Sequence, residues 1–165
     1  RRDFYWDQRP SVLPDGRMLH LFWSFDRQTA VYLNIHGRES RDNGRTWSAL
    51  WDCGIPGQPA PPVALPDARL ALPYMDRTGP PILKIRLSAD GGHTWPADSE
   101  LILYETQLAS QTWNKQTMSD AWAEMGKFSV GLPATAMTAN GDLVVVYYAG
   151  PHTDHTGIEW VRVRG

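Results

Sequence analysis

Cysteine is almost missing from this chain: Cys53 stands alone among 165 residues. No internal disulfide can form, and no Cys-x-x-Cys pair or Cys/His cluster offers zinc spacing. No apolar run approaches the ~20 residues of a membrane-spanning helix. No signal peptide is recognisable, but the chain opens on Arg1 rather than Met, so a targeting segment would lie upstream and the compartment stays open. An excess of one charge is also missing. With 16 Lys+Arg against 18 Asp+Glu, no electrostatic footprint points to nucleic acid or to an anionic membrane. Lysine is scarce, 3 against 13 Arg, which favours planar, bidentate contacts to carboxylates over diffuse attraction. Low-complexity segments are absent. The length suits one domain with a sizeable core.

What is present is punctuation. Eight Trp, 14 Gly and 13 Pro interrupt short apolar runs too often for long helices, which predicts an all-β chain of short strands and tight turns. Two motifs repeat. Ser40-Arg41-Asp42-Asn43-Gly44-Arg45-Thr46-Trp47 returns 48 positions later as Ser88-Ala89-Asp90-Gly91-Gly92-His93-Thr94-Trp95. Pro10-Ser11-Val12-Leu13-Pro14-Asp15-Gly16-Arg17 returns 52 positions later as Pro62-Val63-Ala64-Leu65-Pro66-Asp67-Ala68-Arg69, with a looser third copy from Pro133 to Asp142.

Each copy of the second motif lies between strand-like runs and predicts a hairpin. Third strands are expected at 30–35, 82–87 and 158–163, and short fourth strands near Leu50-Trp51 and Leu101-Leu103. Four strands in about 50 residues is the size of a β-propeller blade. Units of roughly 1–55, 56–106 and 107–165 follow. The third stops where its octapeptide would be expected, so the chain reads as a partial propeller whose unpaired end faces favour association.

The octapeptide has a mechanical reason for its composition. Ser and Asp side chains accept from nearby amides, and Gly adopts turn conformations costly for other residues. Thr-Trp is then expected to start a strand and offer an indole for packing. Asp42 and Asp90 could instead be catalytic carboxylates or metal ligands, but a residue repeated with its unit usually serves the unit. The two octapeptides resemble the Asp-boxes, or bacterial neuraminidase repeats, of sialidases and their relatives. In that reading Ser40, Asp42, Gly44, Thr46, Trp47, Ser88, Asp90, Gly92, Thr94 and Trp95 are structural. The resemblance implies a six-bladed propeller of four-stranded antiparallel blades, about three of them present. It also implies a secreted or periplasmic setting and a glycan ligand, possibly one containing sialic acid.

In a four-stranded antiparallel blade both repeated motifs fall at one end. A site built from divergent residues then belongs at the other, in 6–9, 24–29, 53–60, 75–81, 105–131 and 150–157. Arg9-Pro10 resembles the sialidase Arg-x-Pro entry, whose Arg grips the sugar carboxylate, though without the intervening residue; the alternative is an ion pair with Asp7. Asp7 is the candidate acid, or else a turn cap. Gln58, Lys127, Ser129 and Glu124 are candidate sugar contacts. Glu124 shares a long loop with Trp113 and Trp122, which could stack on sugar rings or pack between blades. The Asp-Arg pairs at 26–27 and 76–77 recur in equivalent connections, which favours a turn role. His152 to His155 lacks further placed ligands, so no metal and no cofactor is expected. Tyr147 and Tyr148 fall inside a predicted strand. The leading expectation is a sialidase-like glycoside hydrolase of acidic glycans; the alternative is a non-catalytic propeller that binds glycan or protein through its rim.

Overall fold

The computed structural model describes residues 2–164 as three antiparallel sheets and one short helix. In the first sheet, β1 (Asp3–Val12), β2 (Met18–Asp26), β4 (Asn34–Ser40) and β5 (Trp51–Pro56) pair in that order, with the two-residue β3 (Val31–Tyr32) on β2. The second runs β10 (Leu101–Glu105), β9 (Ile82–Ser88), β8 (Leu70–Asp76) and β6 (Gln58–Pro59), with β7 (Val63–Ala64) also on β8. The third has β11 (Val130–Met137), β12 (Leu143–His152) and β13 (His155–Val163). The first strand of the second sheet, at its edge, is broken into β6 and β7 because Pro61 and Pro62 supply no amide to the ladder.

The second strands carry the core. β2 and β8 are buried almost end to end, as central strands covered on both faces should be. Leu19, Leu21, Ile35 and Ile55 of the first sheet meet Leu70, Leu72, Tyr74 and Trp95 of the second. Met75 and Leu83 then meet Val130, Val145 and Tyr147 of the third. The sheets thus pack face to face in sequence order.

The three hairpins are built alike. Leu13 N–H donates to Arg17 O and Gly16 N–H to Leu13 O; Leu65, Arg69 and Ala68 repeat this, as do Thr138, Asp142 and Gly141, all within 2.8–3.0 Å. The third turn position is left-handed each time, with φ of 80° at Gly16, 69° at Ala68 and 89° at Gly141. The octapeptides also match. Ser40 Oγ accepts from Gly44 N at 2.8 Å; Asp42 accepts from Thr46 N at 2.8 Å and Thr46 Oγ1 at 2.6 Å; Trp47 Nε1 donates to Gly44 O at 3.0 Å. Ser88, Gly92, Asp90, Thr94 and Trp95 make the same four bonds at 2.9, 2.9, 2.6 and 3.1 Å.

Several expected details are corrected. Thr46-Trp47 and Thr94-Trp95 do not start strands; β5 begins at Trp51, and a 3-10 turn over Ala97–Ser99 precedes β10. The indole N–H bonds hold each Trp back against its own turn, which delays the strand. The third strand of the first sheet, expected from 30, starts at Val31 as β3, breaks at Leu33 and resumes at Asn34 as β4; in the turn before it Asp26 accepts from the amides of Gln28 and Thr29. Residues 6–9 lie inside β1, and Cys53 lies inside β5. The stretch 105–131 is not wholly irregular: α1 (Met118–Met125) starts at a capping box in which Thr117 and Asp120 satisfy each other's backbone amides.

Candidate functional site

The first strand of each sheet, β1, β6 and β11, brings residues from all three sheets together. β1 carries a bulge between Trp6 and Arg9, where Asp7 adopts a left-handed φ of 43°. β11 carries another between Gly131 and Ala134, with Leu132 at 47°. Non-glycine residues pay for that conformation and keep it where the surroundings over-determine it. In the second sheet the equivalent position is Gly57, φ 119°, where a Cβ would collide with the Met75 carbonyl; only glycine fits there.

Between these positions runs a polar chain. Arg9 Nη2 stands 3.4 Å from Asp7 Oδ1, and Arg9 Nε donates to Pro59 O at 3.3 Å. Asp7 Oδ2 accepts a short hydrogen bond from Gln58 Nε2. Gln58 Oε1 accepts in turn from Arg77 Nη2 at 3.2 Å, and the same nitrogen donates to Val130 O at 2.7 Å. The guanidinium lies over the Phe128 ring, 3.8 Å from its centroid. Arg77 is only 5% exposed, yet its Nε and Nη1 have no hydrogen-bond partner. Burial pushes Arg77 down to about 10, while Tyr148, Tyr32 and Asp7 oppose the shift, so it is a cation at neutral pH. Burial raises the Tyr148 hydroxyl, against the pull of Arg77.

Arg77 lines a cleft of about 520 Å³ with Trp23, Tyr32, Asn34, Gly57, Thr112, Trp113 and Lys115 among its other walls. Its lining comes from 24–29, 53–60, 75–81 and 105–131, four of the segments expected to diverge, and from β3. One wall is fixed from behind by Glu124 on α1. This carboxylate is fully buried and accepts from Lys115 Nζ at 2.8 Å and from Trp113 N at 2.9 Å. Lys115 Nζ also sits over the Tyr32 ring at 4.5 Å. Burial, then the Glu124 charge, push the Tyr32 hydroxyl strongly upward.

Asp7, Arg9 and Gln58 therefore meet at one place. Ser129 is buried nearby, where its hydroxyl accepts from Gln111 Nε2 at 2.8 Å and ties the loop to β11. Lys127 is exposed, with its ammonium 4.9 Å from the Trp113 ring. Glu124 holds the wall rather than facing the cleft. Asp26 and Asp76 cap their own turns, Asp76 accepting from Thr78 N at 2.9 Å and Lys84 Nζ at 2.9 Å. Sequence reasoning grouped Arg77 with those turns and missed it. Its only sequence signal is an Arg within a segment expected to diverge. Among the described residues no group of three His, Cys, Asp or Glu side chains could hold a metal, and no helix is long and apolar enough to cross a membrane.

The fold has known counterparts. A protein of unknown function from Dyadobacter fermentans matches 99% of this chain and 40% of its own, at 20% identity and a TM-score of 0.66. An endo-1,4-beta-xylanase from Bacteroides thetaiotaomicron matches 96% of this chain and 50% of its own, at 8% identity and 0.63. A polysaccharide lyase of family PL25, an ulvan lyase bound to a GlcA–Rha3S repeat, matches 98% and 42%, at 12% identity and 0.59. The chain thus spans 40–50% of the length of these structures. At such identities the likeness is one of fold. No protein-family model and no curated protein matches the sequence.

Proposed function

We propose that the chain is three blades, 1–55, 56–106 and 107–165, of a sialidase-type propeller that binds an acidic glycan in the cleft beside Arg77. The observation that carries this reading is the buried guanidinium with two unpartnered nitrogens, Nε and Nη1. A buried donor left unsatisfied costs about 1–3 kcal/mol, so a carboxylate ligand that pairs with it recovers energy the free protein forgoes. Asp7 and Gln58 orient the guanidinium from one side. Trp113, 40% exposed at the cleft wall, supplies a face for a sugar ring, and Lys127 stands over that ring. The carbohydrate-active names among the structural counterparts, the xylanase and the ulvan lyase, support a glycan as the partner.

The test is titration calorimetry with sialylated, uronate-containing and neutral oligosaccharides. The expected result is binding of the carboxylate-bearing sugars, weakened at least ~10-fold in Arg77→Lys, whose point charge cannot reproduce the planar fork. Equal binding of neutral and acidic sugars, or no effect of the substitution, would overturn the reading.

Hydrolysis is the second reading, favoured by the partly exposed Asp7 carboxylate held at a left-handed bulge. Asp7 stands between Gln58 Nε2 and Arg9 Nη2. A carboxylate so placed is a candidate for charge stabilisation at an oxocarbenium-like centre. Tyr148 lies inside β12, and Arg77 rather than a carboxylate is the first charge that acts on its hydroxyl. Loss of turnover with retained binding in Asp7→Asn would establish chemistry at this residue, and unchanged behaviour in both would remove it from the site.

A further inference from the structure

Arg77 lines the cleft, yet its unpartnered Nε and Nη1 are closed off from solvent. An anion can pair with them only after a wall of the cleft has moved. Two walls belong to the sheets. Trp23 and Tyr32 stack with ring centroids 4.6 Å apart, within the aromatic cluster that also holds Phe128, and Gln58, next to Gly57, is paired with Met75 in the second sheet. The third wall is the strap 106–117, which forms neither strand nor helix and contributes Ser110, Thr112, Trp113, Asn114 and Lys115. Segments held by side chains rather than by a ladder are the ones that open locally.

The strap is fixed at both ends and fastened in the middle. Leu108 packs against the core of the third sheet, and Lys115 is held by Glu124. Between them Gln111 Nε2 donates to Ser129 Oγ at 2.8 Å, Ser129 N donates to Gln111 Oε1 at 3.3 Å, and Thr112 Oγ1 donates to Arg77 O at 3.0 Å. All three bonds end beside the guanidinium. Thr112 grips the main chain of Arg77 itself, and Ser129 lies between Phe128, whose ring the guanidinium covers, and Val130, whose carbonyl accepts from it.

We propose that 109–114 is a gate over Arg77, fastened by Gln111 and Thr112 and hinged at Leu108 and Lys115. The closed form keeps the guanidinium from water and bulk anions; the open form presents Nε and Nη1 to a ligand. Three neutral hydrogen bonds of modest net worth keep such a segment mostly shut while letting it open unaided. A binding-competent form that is populated only in part lowers the apparent affinity by that fraction, so the fastening sets how readily the site takes its ligand. The functional meaning of the gate rests on Arg77 being the anchor of an acidic glycan, but its opening requires no sugar.

Labelling of arginines with phenylglyoxal, read by peptide mass spectrometry on the sugar-free protein, tests this. Arg77 is expected to react slowly beside Arg41, whose side chain is 71% exposed. It is expected to react about 10-fold faster in Gln111→Ala, which deletes two of the three bonds, and about 3-fold faster in Thr112→Val. Arg86, tied to Glu100 and to the Trp95 carbonyl with its side chain 14% exposed, reports global opening and is expected to keep its rate. Thr112→Val remains as a test if Gln111→Ala gives no cooperative melt. Arg77 as reactive as Arg41 in the unaltered chain, rates unmoved by both substitutions, or Arg77 and Arg86 accelerating together would each overturn the gate. Absence of sugar binding beside the expected labelling pattern would count against the glycan and leave the gate standing; sugar binding beside an unmoved pattern would do the reverse.

Discussion

Ala68 occupies a position that Gly16 and Gly141 fill in the sister hairpins, with φ of 69° and the same turn hydrogen bonds. A Cβ there costs about 1–2 kcal/mol, more than the entropy glycine loses on folding. Ala68→Gly is therefore expected to raise stability by about 0.5–1 kcal/mol in urea unfolding. The octapeptide carboxylates act in the opposite sense. Asp90→Ala removes the acceptor for Thr94 N, Thr94 Oγ1 and Ser88 Oγ and is expected to cost ~2 kcal/mol. Burial alone would raise Asp90, but the bonds from Thr94, then Ser88 and His93, outweigh it and hold the group at about 2. Burial would likewise raise Glu100, yet Tyr74, Lys84 and Arg86 bring it to about 2. Both folded values lie below the ordinary 3.8 and 4.5, so this stability is present above those values and is lost as pH falls through them toward 2. The urea midpoint is expected to drop between neutral pH and about pH 3, and less steeply in Glu100→Gln. Asp90 was legible because a turn's partners lie within a few positions. Glu100 was not, since Tyr74, Lys84 and Arg86 come from other strands. Nor was Arg77: Gln58, Phe128 and Val130 are remote in sequence, and its Asp76 neighbour made it look like a turn residue.

α1 shows why an element can be missed in a β-rich chain. Its eight residues are too few to stabilise themselves, and it is held by the Thr117 capping box, by the burial of Ala121 and Glu124, and by packing of Met118, Trp122 and Met125 against the first sheet. Thr117→Ala is expected to cost about 1 kcal/mol. Glu124→Gln leaves the Lys115 ammonium, whose side chain is 6% exposed, without a counter-charge. That change is expected to cost about 3 kcal/mol in denaturant unfolding and to free the 113–115 wall of the cleft. Pairing it with Lys115→Met should recover part of the loss, which a double-mutant cycle would read as coupling. The strand cores at 18–23, 70–74, 82–87 and 143–148 were legible from their apolar runs. Their starts at Met18, Leu70, Ile82 and Leu143 were legible as well. The break at Leu33 and the gap between each octapeptide Trp and the next strand were not, because turns and indole hydrogen bonds made by single side chains leave no mark in the alternation.

At the scale of the molecule, stability follows position in the stack. β2 and β8 are buried on both faces, while β13 is exposed along nearly its whole length. Hydrogen exchange is expected to be slowest for amides of 19–25 and 70–75 and fastest among the strands for β13. The repeats announced three similar sheets, but not how neighbouring sheets grip each other, since that depends on contacts between motifs rather than within them. The grip is visible at the octapeptides. Arg17, from the first hairpin, donates to Gly91 O at 2.9 Å, and Trp51 Nε1 donates to Gly92 O at 3.3 Å. The missing Cβ of Gly92 leaves the room that Leu19 fills. The first unit thus provides the plugs and the turn of the second provides the socket, a polarity that runs one way along the chain. Because that socket is made of backbone carbonyls and a missing Cβ, the other side chains of the second octapeptide can change without altering these contacts, and only Gly91 and Gly92 are tied to them.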